Sequence, residues 1–291
     1  MRNERYRINI SIPLIILTLL LALCGQPAPA MDMDFDEGSG KCTAENSFHK
    51  NVDADGIDKV SIETINGSIN VTGYDGNEII IDAQLKIKGE EQAVCDELLK
   101  KIKIKVDKEG KTLQIEPELD SKKKGYNWSV SFTVQVPKRM LSNAETVNGA
   151  VTVKDVAGGN FETINGGISC HKINGDVKAE TINGGIEFSE ISGDVEASTI
   201  NGSVDLECKK VMPSDIDIST INGKISVKIL KIPDAELDIS AMNGSIRIDG
   251  LPNIEMKSKS RSFSSTLGSG KGNYDLSTIN GSVEFEVGKA E

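Results

Sequence analysis

The chain has 291 residues, a formal net charge of -11 and 4% aromatic residues. That acidity excludes nucleic acid and anionic lipid surfaces as natural partners, because both carry the same sign. The scarcity of aromatic rings, with a single Trp, speaks against a sugar-binding cleft. The cysteines are scattered without metal-ligand spacing.

Arg2, Arg5 and Arg7 precede an apolar run from Ile8 to Leu23, broken by Asn9, Ser11, Pro13 and Thr18. Ala28-Pro29-Ala30 then supplies small residues for cleavage. This is the layout of a secretory signal peptide over residues 1–30, and the run is too short and too interrupted for a membrane span. The rest of the chain is expected in the periplasm, on the cell surface or outside the cell. A competing reading takes Leu21-Ala22-Leu23-Cys24 as a lipoprotein box with Cys24 lipidated, although Leu23 stands where such a box wants a small residue. A lipid anchor would then be the one route to the membrane.

Residues 31–57 are polar and are expected to be partly loose. Residues 58–140 carry a first repeat copy, Val60 to Val71, and an inserted block. Within it, Glu78 to Lys88 reads as a strand and Glu90 to Lys101 as a short helix, with Ala93, Val94, Leu98 and Ile102 at helical spacing. Ile102 to Val106 and Leu113 to Ile115 read as strands around a turn at Lys108-Glu109-Gly110, and Trp128 to Val136 as a strand closed by Pro137. This block is expected to blunt the open end of a repeat stack.

Residues 141–291 are the regular repeats. A motif close to Thr-Ile-Asn-Gly places its Asn at Asn66, Asn148, Asn165, Asn183, Asn201, Asn222, Asn243 and Asn280. Weaker copies, Ile173-Asn174-Gly175-Asp176 and Ile191-Ser192-Gly193-Asp194, lie midway between full ones. The unit is therefore a coil of about 18 residues in two halves. With the motif Asn as position zero, positions -6, -4, +3 and +5 are apolar in most copies, as in Val177, Ala179, Ile186 and Phe188. That period of two makes each half a strand with one buried face. Asn-Gly is expected to make the turn, because both residues tolerate positive φ. Whether the Ile before each Asn faces in or out is left open by the alternation. Lys257 to Gly272 reads as an enlarged loop before a last coil, Tyr274 to Val287.

An antiparallel meander and a parallel β-solenoid both fit the alternation. A meander leaves an apolar face that no helix in this half can cover, whereas a solenoid closes that face on itself. Extra residues at Lys209 to Ser214 and near Leu230 to Ala235 are harmless as corner loops but disturb meander pairing. The expected fold is all-β: a single-chain parallel β-solenoid with a small strand-helix-strand insertion. Stacked coils lie about 4.8 Å apart, so the eight motif asparagines are expected to form a hydrogen-bonded structural ladder.

The recurring T-[IV]-N-G-x-[IV] motif, the segment G-E-E-Q-A-V-C-D-E-L-L-K, the V-Q-V-P strand end and the final S-T-I-N-G-S-V coil resemble a bacterial family of unknown function that carries an adhesin label, related to the GIN head domains. The resemblance spans about residues 58 to 288. It implies a β-solenoid in the cell envelope and brings no catalytic residues.

Catalytic parts are few. His49 and His171 are the only histidines, and no nucleophile-base-acid set can be assembled around them. The expectation is a non-enzymatic scaffold without cofactor that binds an envelope or surface partner. The alternatives are a polysaccharide-active enzyme built on paired carboxylates and a calcium-binding β-roll, suggested by Asp176 and Asp194 beside their turns. Cys170 falls at an inward position, and a bond between Cys42 and Cys95 has no support from spacing.

Overall fold

The computed structural model describes residues 41–119, 125–252 and 260–288. Cys24 and the rest of the leader lie outside them.

The chain is all-β, with two eleven-stranded, mostly parallel sheets and one described helix. It opens with β1 (Cys42–Asp53), β2 (Lys59–Asn66), β3 (Ile69–Tyr74), β4 (Glu78–Gly89), helix α1 (Gln92–Leu99), β5 (Ile102–Glu109), β6 (Thr112–Leu119) and β7 (Asn127–Pro137). The repeats follow as β8 (Leu141–Asn148), β9 (Val151–Lys154), β10 (Gly159–Asn165), β11 (Ile168–Ile173), β12 (Val177–Asn183) and β13 (Ile186–Ile191). They continue as β14 (Val195–Asn201), β15 (Val204–Cys208), β16 (Ile216–Asn222) and β17 (Ile225–Ile229). The chain ends with β18 (Ala235–Ala241), β19 (Ile246–Asp249), β20 (Ser262–Thr266), β21 (Gly272–Asn280) and β22 (Val283–Val287).

Sheet A runs β1-β4-β7-β3-β9-β11-β13-β15-β17-β22-β19, and sheet B runs β20-β18-β21-β16-β14-β12-β10-β8-β2-β6-β5. From β8 to β17 the chain alternates between them, adding one parallel strand to each per coil. Register is kept at every step: Thr163 pairs with Thr181, Thr181 with Thr199, and Thr199 with Thr220. The reason is the period of two. A slip by one residue would expose Val177 and Ala179 and bury Lys178. The inward residues of both sheets join in one core, with Phe132, Phe161, Phe188, Tyr274 and Phe285 its largest members.

The motif corner owes its sequence to stacking. Each motif Thr turns inward, and its hydroxyl donates to the preceding coil, as Thr181 Oγ1 does to the Gly166 carbonyl at 3.0 Å and Thr199 Oγ1 to the Gly184 carbonyl at 3.1 Å. Asn66 Nδ2 donates to the Trp128 carbonyl at 3.2 Å, and every later Asn Nδ2 donates to the Oδ1 of the Asn one level down. The column runs Asn66, Asn148, Asn165, Asn183, Asn201, Asn222, Asn280, Asn243, with every step at 2.8–3.0 Å. The expectation that Asn-Gly serves through positive φ is corrected. No motif Asn has a positive φ, and among the motif glycines only Gly67 lies in the left-handed region. Left-handed residues instead sit at another corner, Asp155, Lys172 and Glu190 at φ 56°, 53° and 56°. The motif Gly is required by closeness: a Cβ at Gly184 would lie 1.9 Å from the Gly166 carbonyl oxygen, and one at Gly202 1.8 Å from that of Gly184.

Three further expectations are corrected. The segment taken as loose contains β1, which pairs along its length with β4. A disulfide joins Cys42 at its start to Cys95 on α1. Two residues that are distant in sequence meet because α1 packs back across β1 and β4, which spacing cannot show. The region read as a loop at Lys257 to Gly272 contains β20, antiparallel to β18. The last coil is also not last in the stack. β21 and β22 lie between β16/β17 and β18/β19, so the Asn column passes from Asn222 to Asn280 before Asn243.

At the other end, β7, β4 and β1 extend sheet A beyond β3, and β6 and β5 extend sheet B beyond β2.

Two outcomes follow from this packing. Asn183→Ala loses two ladder hydrogen bonds, to Asn165 and from Asn201, and at this exposed column should cost about 1 kcal/mol. Gly184→Ala forces two backbones apart and should cost more, about 2 kcal/mol or above; equal urea midpoints for the two variants would contradict the close-approach account. Replacing Cys42 and Cys95 by Ala should lower unfolding stability by about 2–4 kcal/mol. Amide exchange should then rise in β1 and α1 and stay slow in β12 to β16.

Candidate functional site

The outward positions of sheet B, -5, -3 and -1, each form a column along the stack. At -1 stand Ile65, Val147, Ile164, Ile182, Ile200, Ile221, Ile279 and Met242 in stack order. They face outward, which answers the question the alternation left open. The end members Ile65 and Met242 are 43% and 47% exposed, and the six between are half-buried. Eight levels make an aliphatic ridge about 34 Å long at the usual strand spacing. The exposed asparagine ladder borders it on one side.

On the other side, position -3 carries Glu63, Glu145, Glu162 and Glu180, in register on neighbouring strands, and then Ser198, Ser219, Ser277 and Ser240. Position -5 carries Lys178, Glu196, Asp217, Asp275 and Asp238 on successive levels. The acidic line therefore shifts outward by one column where the serines begin. Lys178 joins the two segments, with Nζ 2.6 Å from Glu196 Oε1 and 3.3 Å from Glu180 Oε1. The Glu180 side chain is 1% exposed, and neither of its oxygens meets an acceptable hydrogen-bond geometry; the contact to Lys178 is an ion pair only.

Stacked carboxylates resist ionisation. Burial first, then Glu162 and Glu63, raise the Glu145 carboxyl above its usual range. Burial and Glu180 do the same to Glu162, although Lys178 opposes them. Burial, followed by Asp217 and Asp238, pushes Asp275 up to about 6. Lys178 is held above its usual value despite burial, chiefly by the hydrogen bond to Glu196 and the charge of Glu180.

Beyond the -5 column lies a groove of about 560 Å³ at the strand starts. Asp176, Asp194, Asp215, Glu196 and Asp217 are among the residues that line it, together with Lys59 and Lys178. No aromatic ring lines it. Asp176 Oδ1 accepts the Asp194 amide at 3.0 Å, Asp194 Oδ1 the Asp215 amide at 3.3 Å, and Asp215 Oδ1 the Asn273 amide at 2.7 Å. The two acids singled out for calcium thus hold the corner of the next coil. Among the described residues no group of three or more His, Cys, Asp or Glu side chains is arranged to hold a metal ion.

The remaining candidates are dispersed. His49 Nδ1 lies 2.7 Å from Asp82 Oδ1 at the exposed face of β1 and β4. His171 on sheet A contacts Ser189 Oγ. Cys170 and Cys208 are buried free thiols, both pushed up by burial. What sequence reading missed were the columns at -1, -3 and -5. The signal was in the motif itself: in a stack, one conserved outward residue becomes a line.

No protein-family model and no curated protein matches the chain. Solved structures similar to it include a "putative cell adhesion protein" from Clostridium sporogenes, 15% identical, covering 84% of this chain and 99% of that one, with a TM-score of 0.35. A "putative adhesin" from Bacteroides fragilis is 14% identical, covers 83% and 97%, and has a TM-score of 0.44. A "putative lipid binding protein" from Parabacteroides distasonis is 14% identical, covers 82% and 96%, and has a TM-score of 0.35. No helix among the described residues is long and apolar enough to cross a membrane.

The raised carboxyls set a pH dependence. A carboxyl with a raised folded pKa favours the folded state when protonated, and that contribution is lost as pH rises through the folded value. Asp275→Asn should therefore raise the Tm at pH 7.5 relative to the parent protein and leave it nearly unchanged at pH 4. Thermal melts by circular dichroism check this, and an equal effect at both pH values would refute it.

Proposed function

We propose that this chain is an exported, non-enzymatic β-solenoid scaffold of the cell envelope, used in adhesion or partner binding, and that it holds its partner against the outer face of sheet B. The observation that carries the reading is the aliphatic ridge from Ile65 to Met242. Core burial does not call for Ile, Val or Met at a position that faces solvent. A contiguous line of solvent-facing apolar side chains, half-buried along its middle and exposed at its ends, is the kind of feature that marks interaction surfaces. The alternation of the chain between two sheets, coil by coil, supports the solenoid reading. The Cys42–Cys95 disulfide supports export, since such bonds persist in oxidising compartments. The signal-peptide layout of residues 1–30 points the same way. The groove beside Asp217 offers carboxylates but no aromatic platform, so a polysaccharide-active enzyme has less support.

The triple variant Ile182→Thr, Ile200→Thr, Ile221→Thr keeps β-branched side chains and removes the centre of the ridge. Its binding to immobilised envelope preparations should weaken about tenfold or more, with an unchanged circular dichroism spectrum. Undiminished binding would remove sheet B from the proposal. Saturable glycan turnover that Asp217→Asn abolishes would replace the scaffold reading with an enzyme.

A further inference from the structure

The out-of-order coil has a specific cause. β21 and β22 occupy a slot between β16/β17 and β18/β19, although β18/β19 come first in the chain. The motifs differ: β18/β19 carry Ala241-Met242-Asn243-Gly244 where β21/β22 carry Thr278-Ile279-Asn280-Gly281, and only Thr278 has the hydroxyl that donates to the Gly223 carbonyl, at 3.2 Å. Two further residues add to that preference. Gly272 on β21 passes against the chain before β16, where a Cβ would lie 2.2 Å from the Ser214 carbonyl oxygen. Its register partner on β18 is Ala235, which carries that Cβ. Two positions on, Tyr274 Oη donates to the Pro213 carbonyl at 2.8 Å from a fully buried ring. Its partner on β18 is Leu237, which has no donor. The edge of β16 therefore rejects the coil that is next in sequence and accepts the terminal one.

Until Gly272–Val287 arrives, the slot stays open, and nothing in it distinguishes the terminal coil of the same molecule from that of another. The coil is tied to the stack on one side by residues 267–271, where Gly268 and Gly270 hold φ of 66° and 68°. Asp234 clasps that segment through Ser269 Oγ at 2.9 Å, and through its own carbonyl, which accepts the Lys271 and Gly272 amides. A short glycine-bearing hinge next to a self-complementary element is the arrangement from which domain exchange arises.

We propose that this slot is an assembly site for a second copy of the chain: the terminal coil of one molecule enters the slot of another, and the two molecules exchange coils. The exchanged dimer contains the same contacts as the monomer and differs only at residues 267–271. Its population is therefore set by protein concentration during folding.

The test uses full-length chains that carry Cys24→Ser, so that the leader thiol cannot cross-link. Ser219 on β16 and Ser277 on β21 are register partners, and parallel neighbours about 4.8 Å apart lie within disulfide reach. One protein carries Ser219→Cys and another Ser277→Cys. They are unfolded together, refolded at a series of concentrations, and oxidised with glutathione only after refolding, when Cys170 and Cys208 are again buried. A covalent heterodimer on non-reducing gels, growing with concentration, is the expected result. The double variant Ser219→Cys, Ser277→Cys, refolded dilute, should close the bond within one chain. Should the buried Ser219 site impair folding, Lys228→Cys and Glu286→Cys, exposed register partners on sheet A, repeat the experiment. A heterodimer no more abundant than the 219–219 and 277–277 homodimers at every concentration overturns the proposal. So does a double variant, in both pairs, that folds but never cross-links.

Discussion

The close approach of successive backbones at the motif corner is the constraint on which the rest of this structure depends. The Gly184 α-carbon faces the Gly166 carbonyl with no room for a methyl group. That fit holds the coils in register. Once they are in register, the Thr hydroxyls reach the Gly carbonyls below them and the Asn amides reach one another. Glycine, threonine and asparagine therefore recur together for one reason. Each completes a contact that exists only when the next coil sits directly above.

Registered stacking also gives the surface its character. A residue type repeated at one outward position becomes a continuous line, whatever its chemistry. Repeated Ile makes the ridge, and repeated Glu and Asp make carboxylate columns whose members repel one another at strand spacing. The chain tolerates this through the bridging charge of Lys178 and through carboxyl groups that burial and their neighbours' charge make hold their protons more firmly than usual. Apolar ridge and acidic columns lie side by side on sheet B. A partner that covers the ridge therefore meets an acidic flank.

Stacking order is a separate property from stacking. Every coil presents the same backbone edge, so order must be written in side chains at the corners. Between β16 and β18 it is written in Gly272 and Tyr274 against Ser214 and Pro213. From β8 to β17 the connections are short and order follows the chain. The longer connection around β20 frees the terminal coil to enter the stack at an interior level.

Much of this was legible in the sequence. The eight asparagines, the inward positions at -6, -4, +3 and +5, and the strands and helix of the 58–140 block stand in one chain because each depends on local periodicity. Only the tertiary structure decided four matters: that Cys42 meets Cys95, that β1 is a strand, that the Ile column faces out, and that Asn280 lies between Asn222 and Asn243. Each depends on which distant segment lies alongside, and a period of two states only which side chains share a face. The Glu at position -3 recurs visibly in the sequence, but Glu145, Glu162 and Glu180 become a column of neighbours only through the register of β8, β10 and β12.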